Sequence, residues 1–133
     1  MSESNVFVSY ARSDRRWVDW LRQRLTPHGF RIWTDANSVS IGESWITELN
    51  RTTEKADAVV ALLSPSYFQS TWCQQETALA VASDVLVIPV LVEPCEVRGV
   101  LRYYNLADLT SDPDRGLHSI IEAVERLSAQ SAA

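Results

Sequence analysis

Short apolar runs alternate along the chain with segments whose apolar residues recur every third or fourth position. The runs read as buried strands and the periodic segments as amphipathic helices. Asn5 to Tyr10, centred on Val6-Phe7-Val8, is a compact apolar strand. Ser13 stands where it can N-cap a helix from Asp14 to about Thr26. Trp17, Val18, Leu21 and Leu25 share its buried face, and Pro27 and Gly29 end it. Phe30 to Trp33 is a second short strand. A loop through Asp35, Asn37, Ser38 and Gly42 leads to a helix of roughly Glu43 to Lys55, marked by Trp45, Ile46 and Leu49. Ala58 to Leu63 is apolar throughout and reads as a strand buried on both faces, stopped by Ser64-Pro65.

The next helix carries Trp72, Cys73, Glu76, Leu79 and Ala80, with Thr71 as its cap and Gln74 three residues on. Val85 to Val92 is a fourth strand, in which Pro89 predicts a bulge or an irregular edge. Residues 93–104 are irregular, and Leu106 to Leu109 is a weak fifth strand. Leu117 to Leu127 is an amphipathic helix with Ile120, Ile121, Val124 and Leu127 inward. One domain is expected over Asn5–Leu127. The small polar residues Ser128 to Ala133 are expected as a tail or the start of a linker. Buried strands separated by helices predict a five-stranded parallel sheet of order 2-1-3-4-5 in a three-layer α/β, flavodoxin-like sandwich. Ligands bind such sheets beyond the carboxyl ends of strands 1 and 3. Here those ends are Ser9-Tyr10-Ala11-Arg12 and Ser64-Pro65-Ser66.

Glu76 breaks the pattern. Helical spacing places it inside the apolar stripe of Trp72, Cys73, Leu79 and Ala80. An isolated carboxylate there costs several kcal/mol unless it is paired, hydrogen-bonded or facing a wet cleft. The fold places the same helix beside the expected cleft, so two independent lines select Glu76 as the candidate functional acid.

Composition removes competing chemistries. With 133 residues, 46% of them apolar and 22% charged, the chain has the make-up of one ordinary globular domain. A net charge of −5 argues against a nucleic-acid backbone as partner. Arg12, Arg15, Arg16, Arg22 and Arg24 cluster near the N-terminus. A solvated helix face accounts for them more simply than docking of an acidic partner or a phosphate. The scattered glycines Gly29, Gly42, Gly99 and Gly116 form neither a dinucleotide turn nor a P-loop. A phospho-acceptor domain would need paired acids after strand 1, an Asp after strand 3 and a Lys after strand 5. The strand ends are Ser9-Tyr10 and Leu63-Ser64, and Lys55 is the only lysine. His28 and His118 fit no catalytic pairing with Cys73. Cys73 and Cys95 have no metal-ligand spacing and are expected as reduced thiols, so no metal and no cofactor are expected. No signal peptide and no membrane-length apolar run is visible, so a cytoplasmic location with no membrane contact is expected.

Several segments together resemble a TIR domain, particularly a bacterial one. They are Phe7-Val8-Ser9-Tyr10 with Asp14, Phe30 to Asp35, Ile41-Gly42-Glu43-Ser44-Trp45, Leu63 to Tyr67, and Trp72-Cys73-Gln74-Gln75-Glu76. The resemblance covers about Asn5 to Leu127. It implies either an NAD-cleaving enzyme, with Glu76 catalytic and NAD+ as substrate, or a non-catalytic adaptor acting through contacts between TIR domains. It implies that Ser9 and Tyr10 line the ribose or nicotinamide side of the cleft. Trp33 and Asp35 match the entry to the BB loop, which runs through Asn37, Ile41, Gly42 and Glu43 to Trp45 and mediates subunit contacts in the family. Trp45 stacks on a base or anchors a helix; Trp72 touches substrate or simply packs. Ile41 departs from the family, where proline commonly precedes the glycine. Self-association, a sensor domain or sensor protein, and a role in anti-phage signalling are implied by resemblance alone.

Overall fold

The computed structural model describes residues 4–34 and 56–132, with side chains up to Arg126. Strands β1 (Ser4–Ser9), β2 (Phe30–Trp33), β3 (Ala58–Leu63), β4 (Leu86–Leu91) and β5 (Ala107–Asp108) form one parallel sheet. Their order, β2-β1-β3-β4-β5, is the expected one. The helices among the described residues are α1 (Arg15–Leu25), α2 (Pro65–Gln69), α3 (Thr71–Ala82) and α4 (Pro113–Ala132).

Successive side chains of a strand point to opposite faces, so an apolar strand needs cover on both. Val6 and Val8 of β1, with Ala58, Val60 and Leu62 of β3, pack against Val18, Leu21 and Leu25 of α1 and Ile120, Ile121 and Val124 of α4. Phe7, Val59, Ala61 and Leu63 face the other way, onto Tyr67, Cys73 and Ala80 of α2 and α3. The alternation continues past Phe7 to Ser9, which is buried. That parity sends the last side chain of β1 towards α3.

The local differences from expectation have identifiable causes. Ser13 does not cap α1; a 3-10 turn over Arg12–Asp14 precedes the helix, and its N-cap is Asp14. Gly29 ends the α1 region at φ 84°, a left-handed conformation that suits glycine. Pro89 makes no bulge and pairs in register with Ala61. Val92 N–H donates to Leu63 on β3, and the carbonyl of Leu91 accepts from Leu109 beyond β5. By alternation the nitrogen of Pro89 therefore faces β5, whose pairing begins only at Val90 and Ala107. A missing donor costs nothing there. The last helix begins at Pro113 rather than Leu117 and continues to Ala132, so residues 128–132 are helical. The side chain of Leu127 and the expected helix of Glu43 to Lys55 lie outside what is described. No helix among the described residues is long and apolar enough to cross a membrane.

Gly116 is where α4 approaches β5. A Cβ there would lie 2.5 Å from Leu109 Cδ2 and 2.9 Å from the Asp108 carbonyl oxygen. Alanine would gain about 1 kcal/mol of helix propensity, but overpacking against backbone costs about 1–3 kcal/mol. Gly116→Ala is therefore expected to lower the midpoint of thermal unfolding. An unchanged or higher midpoint would show that α4 can move away freely.

Candidate active site

Helix α3 begins at a cap one residue earlier than expected. Ser70 is the N-cap, its Oγ accepting from the Cys73 N–H at 3.2 Å, and Thr71 is the first helical residue. The buried face is Cys73, Glu76, Thr77 and Ala80, while Trp72 and Leu79 are only half-buried on its flank. The stripe is thus rotated from the expected one, and Glu76 lies closer to its centre. Its side chain is 3% exposed.

Ser9 Oγ donates to Glu76 Oε1 at 2.9 Å. Burial raises the pKa of this carboxyl from 4.5 to about 7, with hydrogen bonds from Ser9 and Trp72 holding it back from a larger rise. Near neutral pH the group is therefore divided between its acid and its anion. Burial also raises the pKa of the Cys73 thiol, hydrogen bonds to Ser70 and Ser9 lower it, and the neighbouring Glu76 raises it further. A thiol held protonated in this way is a poor nucleophile.

The floor of the site continues into Tyr67, also fully buried. Its hydroxyl lies 3.5 Å from Ser9 Oγ, reaches the Cys73 carbonyl at 3.1 Å, and contacts Thr77 Oγ1. On the other side, Ser64 Oγ donates to the buried Asp14 at 2.5 Å and accepts from the Tyr67 N–H as the cap of α2. This bond ties the segment after β1 to the end of β3. From sequence, Ser64-Pro65-Ser66 falls at the cleft end of β3 and Asp14 at a helix start, but neither the short helix α2 nor the bond between Ser64 and Asp14 was foreseen. The available signal was Ser64 followed by proline at the first helical position, a common helix opening.

A cleft of about 420 Å³ opens above Glu76, lined also by Val8, Tyr10, Ala11 and Arg12 from β1 and the segment after it, Thr34 after β2, and Ser70, Trp72 and Cys73. That volume suits a small-molecule site. The cleft thus joins Tyr10, Trp72 and Glu76, with Ser9 beneath them as a buried donor rather than a lining residue. Arg12, read as part of a solvated face, stands at the cleft as a cation. Trp33 does not line it: the residue is 39% exposed, its indole N–H donates to Asn5 Oδ1 at 3.1 Å, and the Arg31 guanidinium sits 4.7 Å from the ring centre. Asp35, Asn37, Ile41, Gly42, Glu43 and Trp45 lie outside the described residues.

Comparison with known proteins places this arrangement in a family. The TIR domain family model matches residues 6–121. The chain is 28% identical over 93 residues to the NAD(+) hydrolase TcpA of Theionarchaea archaeon (strain DG-70-1), covering 66% of this chain and 28% of that protein. It is 27% identical over 129 residues to the 2' cyclic ADP-D-ribose synthase BtTIR of Bacteroides thetaiotaomicron, covering 92% of this chain and 44% of the relative. The chain therefore spans less than half the length of these two relatives. In fold it is similar to the TIR domain of the Toll-related receptor TRR-2 from Hydra magnipapillata. The TM-score is 0.78 at 20% identity, over 90% of this chain and 97% of the other. The family match runs from β1 into α4 and so takes in the sheet, the cleft and Glu76 together. On that evidence the chain belongs to the TIR domain family.

Proposed function

We propose that this chain cleaves the bond between nicotinamide and ribose in NAD+, releasing nicotinamide and ADP-ribose or a cyclic isomer of it. The observation that carries the reading is the buried carboxylate of Glu76, hydrogen-bonded by Ser9 and lining an open cleft. The names of the two curated relatives describe hydrolysis of NAD+ and synthesis of a cyclic ADP-ribose, which supports the same class of reaction.

The chemistry needs few groups. Nicotinamide leaves NAD+ as a neutral molecule from a cationic ring, so no general acid has to protonate it. The barrier is the oxocarbenium charge that develops on the ribose as the bond breaks. An ionised Glu76 stabilises that charge directly or through the ribose hydroxyls, as a carboxylate does in glycoside hydrolysis. Its apolar seat strengthens the interaction, because a charge screened from water acts over a lower effective dielectric. Water at the ribose carbon then gives ADP-ribose, and a hydroxyl of the same molecule gives a cyclic product. Arg12 at the cleft offers a cation to the diphosphate, and Tyr10 and Trp72 offer ring surfaces to a base. Self-association through TIR contacts, a sensor domain or sensor protein, a cytoplasmic setting and a role in anti-phage defence belong to the same proposal and follow from the family likeness. If the chain acts instead as a non-catalytic adaptor, Glu76 is a structural acid.

Three measurements separate these readings. Purified protein incubated with NAD+ is expected to release nicotinamide, more strongly at high protein concentration. Glu76→Ala is expected to lose activity by a factor on the order of 10²–10³. Silence of the wild type when concentrated, or equal activity in Glu76→Ala, sinks the enzyme reading.

The second measurement is the pH profile. The anion is the working form, so kcat/KM is expected to rise as pH increases through about 7, the value for the free protein. In kcat that limb should lie lower, since the cationic nicotinamide ring of the bound substrate favours the anion.

The third measurement is stability. Glu76 binds its proton more tightly folded, at about 7, than unfolded, at about 4.5. The stability this contributes is fully present below pH 4.5 and is lost as pH rises through 7. Glu76→Gln carries no charge at any pH. It should match the wild type in denaturant unfolding at about pH 4 and exceed it at pH 8, by about 3 kcal/mol at most. A Gln variant less stable at both pH values would instead mark Glu76 as a structural acid.

A further inference from the structure

The hydroxyls of Thr77, Tyr67 and Ser9 lie in series behind Glu76, all four residues being buried. Each hydroxyl carries one proton, and the series has an acceptor at both ends. At one end is Glu76 Oε1, 2.9 Å from Ser9 Oγ; at the other is the Cys73 carbonyl, 3.1 Å from both the Thr77 and the Tyr67 hydroxyl oxygens.

We propose that Thr77, Tyr67 and Ser9 form a directional hydroxyl chain that positions the Glu76 carboxylate, with Tyr67 as the link that sets its direction. The proposal rests on the reading of Glu76 as the working acid. An ionised carboxylate only accepts hydrogen bonds, so Ser9 must donate to it. The Ser9 oxygen is then free to accept from Tyr67 in place of the Cys73 carbonyl, and the Tyr67 oxygen accepts from Thr77. Three protons make three bonds, all pointing at Glu76. When Glu76 is protonated, four protons run the other way, from Glu76 to Ser9, Tyr67, Thr77 and finally the Cys73 carbonyl. Either direction leaves every buried hydroxyl with a partner, and the Tyr67 proton selects between them by going to Ser9 or back to the Cys73 carbonyl.

The Ser9–Tyr67 step of 3.5 Å is at the outer limit of a hydrogen bond. It gains most when the anion draws the Ser9 proton forward and polarises the link behind it. The chain therefore favours the anion and holds the carboxylate in one orientation beneath the cleft. Ser9 belongs to β1, Tyr67 to α2 and Thr77 to α3, so the chain also crosses three elements of the switch point. Among the described residues, the titratable and charged groups around Glu76 are Tyr67 from α2, Tyr10 and Arg12 at the cleft, Cys73 on its own helix, and Asp14 near Cys73.

The test is the titration midpoint of Glu76, followed by carbon NMR of glutamate-labelled protein, together with nicotinamide release. Tyr67→Phe keeps the ring and removes the link. It is expected to raise the midpoint by roughly half a pH unit or more and to lower kcat about tenfold at pH 7, with KM little changed. Thr77→Val keeps the side-chain shape and is expected to give a smaller shift in the same direction. In a Ser9→Ala background the chain is already cut, so Tyr67→Phe should add nothing. A Tyr67→Phe protein with the wild-type midpoint and kcat overturns the proposal. So does a Tyr67→Phe shift of the same size with or without Ser9, which is what a packing effect gives. If Tyr67→Phe does not fold, Thr77→Val with an unmoved midpoint overturns it. A wild-type chain that releases no nicotinamide refutes the NAD+ reading, while the midpoints still decide the hydroxyl chain.

Discussion

All six side chains of the strand Ala58–Leu63 are buried, and the rest of the molecule answers that constraint. A strand buried on both faces needs a helical layer above and below it and a paired strand on each side. β1 and β4 supply the pairing, α1 and α4 cover one face, and α2 and α3 cover the other. The chain reaches the two faces by crossovers that depart from β1 and β3 in opposite senses. The carboxyl ends of these neighbouring strands are therefore left side by side without a helix across them. Ser9 and Ser64 mark those ends, and the bond from Ser64 to Asp14 keeps them together.

Glu76 is affordable only in that setting. In a sealed apolar core its anion would be expelled by protonation, and on an open surface it would titrate as an ordinary carboxylate. Here burial and hydrogen bonding oppose each other, and the balance falls at about 7. The groups responsible stand on rigid elements: Ser9 on a central strand and Glu76 on a helix capped by Ser70. A site built in this way reaches its geometry before substrate arrives, so little reorganisation is left for the reaction step.

Much of this was legible in the chain. The strand of Ala58–Leu63, the sheet order and the inward face of α1 follow from periodicity, which survives because core burial is the largest single contribution to the fold. Glu76 stood out because a charge in an apolar stripe violates the same rule. The errors cluster where one residue of shift is nearly free. Ser70 and Thr71 are both good caps, and only the arrival of the chain from α2 selects Ser70. Trp33 has the sequence setting of a cleft residue, but its indole bonds Asn5 and stays exposed. Pro89 promised a bulge, but whether a strand tolerates proline depends on which neighbour its nitrogen faces.

The sequence by itself determined the five strands, the layers and the acid that stands in an apolar stripe, because hydrophobic spacing is a property of the chain. Tertiary structure alone decided what that acid touches. Ser9 reaches Glu76 across 67 positions and Tyr67 lies 58 positions from Ser9, separations that no local pattern encodes. The same holds for Asp14 and Ser64, which are 50 positions apart. Side-chain hydrogen bonds are short and directional, so they exist only once two strands and two helices have fixed their atoms to within a fraction of an ångström.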